Sequence, residues 1–186
     1  MLRDKTEKPL FNRYSSFTIV ENTLSDVVQM LIKNPRLNRL LYYTDPAALS
    51  LPALTTDQTY SVLQNQIRIV PKLETESDAK PYVILTMDSF VPDEGQTTFR
   101  SCVLGVDIIV PYEYWKLQNF KLRPYSIAGE IDAMINKSTI TSLGIANFAG
   151  AKMLLLSPEI GGVSLYYNVD SLKDDLTLNP EELLSV

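Results

Sequence analysis

The chain contains no histidine and only one cysteine, Cys102. Without histidine, Ser-His-Asp and Cys-His nucleophilic systems and every His-ligated metal site are excluded. A lone cysteine excludes an internal disulfide framework and a zinc ribbon as well. Glycine is scarce, at seven residues, and neither G-x-G-x-x-G nor G-x-x-x-x-G-K-S/T occurs, so no glycine-rich phosphate loop is encoded. The pair Gly161-Gly162 reads instead as part of a hairpin turn. No apolar run reaches the roughly 18 residues that a membrane span needs, and MLRDKTEKPLF carries charge without an apolar signal core. The reading is a protein that is cytosolic where it is made. Positive charge is also short: 17 Lys and Arg stand against 22 Asp and Glu, a net charge of -5. That balance argues against an extended nucleic-acid-binding face, which needs clustered cations.

What remains is an ordinary globular composition, 45% hydrophobic and 21% charged over 186 residues. A single compact domain of this size buries roughly 70% of its unfolded surface, enough for a core without staples. The clearest segment runs from Phe99 to Ile135. In FRSCVLGVDIIVP one parity, Cys102, Leu104, Val106, Ile108 and Val110, is wholly apolar, while the other is mixed. This is a strand with one face on a core, and Cys102 reads as a small buried hydrophobe within it.

Helical and turn signals fill in the rest. Thr23 is a plausible N-cap, followed by a stripe of Val27, Val28, Leu31 and Ile32. Asn34-Pro35 interrupts that stripe, which fits two short helices or one kinked helix. Thr44 to Thr59 reads as a long connection, and Gln66 to Leu73 as a short strand. PYVILTMDSF is a strand inside the sheet, joined through Pro92-Asp93-Glu94-Gly95 to the Phe99 strand as an antiparallel hairpin. Arg123-Pro124 opens a helix with Ile127, Ile131, Met134 and Ile135 at helical spacing, expected to lie across the sheet. Phe148 to Leu156 and Val163 to Val169 form a closing hairpin. The expected class is α+β: a mainly antiparallel sheet with helices packed on one face. The organisation is an N-terminal arm over 1-22, one domain over 23-170 and an acidic C-terminal tail over 171-186.

Two groups of residues invite a function. Asp107, Glu113 and Lys116 loosely resemble the carboxylate and lysine set of magnesium-dependent nucleases, yet their spacing throws Glu113 and Lys116 onto a loop. The bland reading, a polar strand position followed by a solvated loop, is preferred. The aromatic group Tyr112, Tyr114, Trp115 and Phe120 either meets a partner or folds back on its own sheet.

Three stretches, LIKNPRLNRLL (Leu31 to Leu41), the hairpin from Tyr82 to Pro111, and RPYSIAGEI (Arg123 to Ile131), together give a pattern that resembles the tail terminator and tail completion (neck ring) proteins of long-tailed bacteriophages. The resemblance implies a structural virion protein without catalytic function or cofactor. It implies a homo-oligomeric ring, commonly a hexamer, that ends growth of the tail tube and joins the tail to the neck and its capsid connector. It also implies DNA only as passing cargo, no membrane, and assembly in the host cytoplasm. Another head-tail connector or a head completion protein is the alternative. Candidate interface residues are Pro92, Asp93 and Glu94 on the hairpin, Tyr112, Tyr114, Trp115 and Phe120 on the aromatic loop, and Arg123 at the helix start.

Overall fold

The computed structural model describes residues 16–69, 80–93, 96–140 and 144–171. In chain order the elements are α1 (Ser16–Leu31), α2 (Pro35–Tyr42), α3 (Thr56–Asn65), β1 (Ile67–Arg68), β2 (Tyr82–Asp93), β3 (Gln96–Pro111), α4 (Arg123–Ile135), β4 (Thr139–Ile140), β5 (Gly144–Leu155) and β6 (Ile160–Ser171). The strands form one six-stranded sheet in the order β1-β2-β3-β6-β5-β4. All neighbours are antiparallel except β1 and β2. The class is α+β, as the alternation of apolar residues implies.

The apolar parity of β3 decides which face the helices cover. Cys102, Leu104, Val106, Ile108 and Val110 are all buried, in one cluster with Val27 and Leu31 of α1, Leu37, Leu40 and Leu41 of α2, and Ile127, Ile131 and Ile135 of α4. Each isoleucine of that α4 stripe is fully buried, contributing about 1.5–3 kcal/mol. The Cys102 thiol points at the Val169 carbonyl inside the same core. On the opposite face Tyr82, Ile84 and Ile109 make a second, smaller cluster with Ile160 packed against it.

The structure corrects four expectations. Helix α1 begins at Ser16, so residues 16–22 of the expected arm are helical, and Thr23 is buried inside the helix instead of capping it. Thr23 occupies a core-facing place between Val20 and Val27, and its hydroxyl disguised the stripe. The expected connection between Thr44 and Thr59 contains a 3-10 turn over Ala48–Ser50 and the start of α3. Its start signal is a capping box: the Thr55 hydroxyl accepts from the Gln58 amide, and the Gln58 side chain accepts from the Thr55 amide. Gly161 and Gly162 lie in β6, opposite Val110 and Ile109, and not in the turn. A Cβ on Gly162 would stand 1.7 Å from the Ile108 carbonyl oxygen, so only glycine permits this approach. Finally, of the short strand expected over Gln66 to Leu73, only Ile67–Arg68 is strand, and its residues from Val70 on lie outside the described residues. Nearly all of the acidic tail (172–186) lies outside them too.

Asn34-Pro35 separates two helices. The Asn34 side chain caps α2 by accepting from the Arg36 and Leu37 amides at 2.9 and 3.1 Å, and Pro35 sits at the first helical position. The Asn34 side-chain Nδ2 reaches across to α4, donating to Glu130 at 3.1 Å, and Arg36 pairs with the same carboxylate at 2.6 Å. Burial raises the Glu130 pKa, but the hydrogen bonds from Arg36 and Asn34 and the Arg36 charge outweigh that effect and leave it below the usual carboxylate value. Thus two of the stretches that carry the resemblance, LIKNPRLNRLL and RPYSIAGEI, form one helix pair.

Candidate functional site

The loop between β3 and α4 is built from short-range turns and then fixed from below by one cation. Tyr112–Tyr114 and Gln118–Phe120 are 3-10 turns, and Lys116 bridges Leu122 between them. The loop is tied to the β5–β6 turn by the Tyr112 amide, which donates to the Glu159 carbonyl at 2.8 Å. A second tie runs from the Gln118 amide to the Pro46 carbonyl at 3.0 Å, reaching the segment after α2.

Arg123 is fully buried, and its whole guanidinium fork is used. Nε donates to the Tyr114 carbonyl at 2.8 Å; Nη1 to the carbonyls of Leu40 and Tyr43 at 2.8 and 2.6 Å; Nη2 to those of Thr44 and Asp45 at 2.9 and 2.8 Å. The last carbonyls of a helix lack intrahelical partners and carry the negative end of its dipole, so a cation at the end of α2 is favoured there. Burial pulls the Arg123 pKa down to about 10, and the Asp45 carboxylate acts against that pull. The group therefore stays charged at neutral pH. Arg123, expected at an interface, is an interior staple between α2, the aromatic loop and α4.

The aromatic side chains divide. The Trp115 indole donates from Nε1 to the Val110 carbonyl at 2.9 Å, and its ring lies 4.9 Å from that of Tyr112. Tyr114 and Trp115 pack against the main core. The Tyr112 hydroxyl rests over Gly161, where a Cβ would stand 2.4 Å from it. These three fold back on their own sheet. Phe120 does the opposite: it is fully exposed, at 106%, on left-handed backbone with φ 60°, and Asn119 beside it has φ 59°. A bulky residue in that region costs energy, on the order of 1–3 kcal/mol, and persists only when its surroundings hold it there. The fixed loop beneath it does so.

Of the hairpin candidates, Pro92 and Asp93 lie at the far end of β2, with Asp93 paired to Gln96, and Glu94 lies outside the described residues. Pro92 and Asp93 stand beside the start of β3, whereas the aromatic loop follows its end, so the structure does not bring these two to the loop. Asp107 faces the side of the sheet away from the helices, where it accepts a short hydrogen bond from the Ser164 hydroxyl, while Glu113 and Lys116 are exposed on the loop. Among the described residues no group of three or more His, Cys, Asp or Glu could hold a metal ion. A hollow between Pro46–Ser50 and Leu117–Lys121 measures 80 Å³, far below the roughly 300 Å³ at which ligand pockets begin. No described helix is long and apolar enough to cross a membrane.

The fold and this loop define a small α+β protein that holds one aromatic side chain, Phe120, fully exposed above the β3–α4 loop. Residues 34–169 match the YomW family. The chain therefore belongs to the YomW family, which is of phage derivation. The match begins at the Asn34 cap and ends within β6, so it takes in the Arg123 staple and the whole loop. No curated protein matches the chain.

Proposed function

We propose that this phage protein is a non-catalytic virion component that assembles as an oligomeric ring at the end of the tail tube. There it ends tail growth and joins the tail to the neck and its capsid connector. The observation that carries the reading is Phe120, an aromatic side chain held fully exposed above a loop that buried Arg123 ties, through the Tyr114 carbonyl, to four carbonyls at the end of α2. Aromatic anchors on rigid supports are what interfaces use, because they bury large area at little entropic cost. Phage-family membership supports the setting, and the α2–α4 pair that unites the two helical stretches supports the comparison with tail terminators. A net charge of -5 suits a channel wall that lets DNA slide past without holding it.

The test is disruption of the gene in its phage, followed by electron microscopy of lysates. Tails of uncontrolled length with no heads attached are expected. Tails of normal length that fail to join heads would place the protein at a different connector, and normal joined virions would refute the reading.

A further inference from the structure

Among the described residues, strand β5 has an open edge: its outer side pairs only with β4, at Thr139–Ile145 and Ile140–Gly144. That ladder is extended by the Ala146 amide donating to Ser138 and the Lys137 amide donating to Ala146, at 3.1 and 2.7 Å. The Phe148 amide then donates to Asn136 Oδ1 at 3.2 Å, and from Ala149 to Leu155 no further pairing occurs on that side among the described residues. Ala146 directs its backbone groups outward, and strand alternation, shifted by one residue at the bulge between Phe148 and Gly150, directs those of Ala151, Met153 and Leu155 outward as well. The inward bond from the Leu156 amide to Ile160 agrees with this phase.

The side chains of those same three residues share the helix-side face, opposite Leu165, Val163 and Gly161 of β6. Helix α4 covers the middle of the sheet and leaves them uncovered: Met153 is 50% and Leu155 74% exposed. Lys152 is the only charged residue in β5. The β2 edge differs, because it carries a bulge between Asp88 and Val91, a left-handed Ser89, an exposed Asp88 and Pro92. Those are the devices by which natural edges are blunted, and β5 beyond its one bulge has only Lys152.

We infer that β5 is a self-complementary docking strand whose partner is β5 of a second copy, added antiparallel about a two-fold axis through Met153. In this register Met153 faces its own copy and Ala151 faces Leu155, so small meets large on both sides of the axis. Every outward backbone group then meets an outward group, giving a ladder of hydrogen bonds. Lys152 falls opposite Leu154 of the partner, so the two lysines are offset from each other. A register centred on Lys152 would instead place like charges face to face, which is unfavourable. An isologous contact of this kind closes on two copies, whereas a ring needs head-to-tail contacts. The inference therefore stands apart from the ring reading, and a ring that forms without β5 would sink one and leave the other.

The experiment is light scattering on the size-exclusion eluate of the full chain at high concentration. The wild type is expected at twice the 21.0 kDa chain mass or a multiple of it. Met153→Pro removes an outward amide without touching the β5–β6 ladder, and is expected to halve that mass while far-UV circular dichroism is unchanged. As a check that does not depend on that variant folding, Met153→Cys should cross-link two copies on mild oxidation, because directly opposed strand residues lie about 5.5 Å apart, within disulfide reach. Lys152→Cys should not. A monomeric wild type, a folded Met153→Pro that keeps the wild-type mass, or equal cross-linking at 152 and 153 would overturn the inference.

Discussion

Replacing Arg123 with methionine keeps most of its length and removes its charge and all five donors. Each hydrogen bond from a charged group contributes about 1.5–3 kcal/mol net, and the desolvation that draws the Arg123 pKa down to about 10 offsets part of the sum. The carbonyls of Leu40, Tyr43, Thr44, Asp45 and Tyr114 would be left facing an apolar chain. Removing one side of a buried charged network typically costs about 3–5 kcal/mol, and that is the loss expected for Arg123→Met. Since whole domains hold about 5–15 kcal/mol, this variant stands near the threshold of folding. Arg123→Lys, which keeps the charge but has three donors instead of five, should lose about half as much. Urea unfolding followed by tryptophan emission is the assay. Trp115 is the only tryptophan and sits in the loop that Arg123 holds, so its emission should shift red in the folded baseline as well as report a lower midpoint. An Arg123→Met protein within about 1 kcal/mol of wild type, with unchanged emission, would refute the claim that this residue organises the loop.

Gly162→Ala should cost several kcal/mol or prevent folding, because its Cβ would meet the backbone of Ile108, whereas Gly105→Ala should be milder, its nearest obstacle being the rotatable Thr86 hydroxyl; thermal unfolding checks both. The Glu130 pKa is lower in the folded chain than in the unfolded one, so its contribution is present above the ordinary carboxyl range and fades as pH falls through the folded value. Glu130→Gln should flatten that part of the acid unfolding curve while shifting neutral-pH stability by no more than about 1 kcal/mol, the ceiling for an exposed pair. Phe120→Gly relieves the left-handed strain and adds chain entropy, so the free protein should stay within about 1 kcal/mol of wild type in urea. The same protein supplied to a gene-disrupted phage should fail to restore head-to-tail joining.

Much of this architecture was legible because strand parity and helix spacing are local. The alternation from Cys102 to Val110 identified the buried face of β3, and Arg123-Pro124 marked the first turn of α4. Helix α3 escaped because its stripe is poor, with Val62 its only fully buried residue, and because Thr, Ser and Gln resemble loop composition; the Thr55 and Gln58 cap was the usable signal. The role of Arg123 escaped for a different reason. Its partners lie as far as 83 residues away in the chain and are carbonyls, which no residue type announces. The aromatic loop could be found but not divided. Whether Trp115 turns inward and Phe120 outward depends on backbone angles at Asn119 and Phe120 that sequence does not display. The open β5 edge depends on how far β4 extends, a matter of two residues.

Electron microscopy of purified virions carrying a gold-labelled chain tests the central claim most directly. The account predicts label at the junction of tail and neck on intact particles. Particles that carry no label there would contradict it.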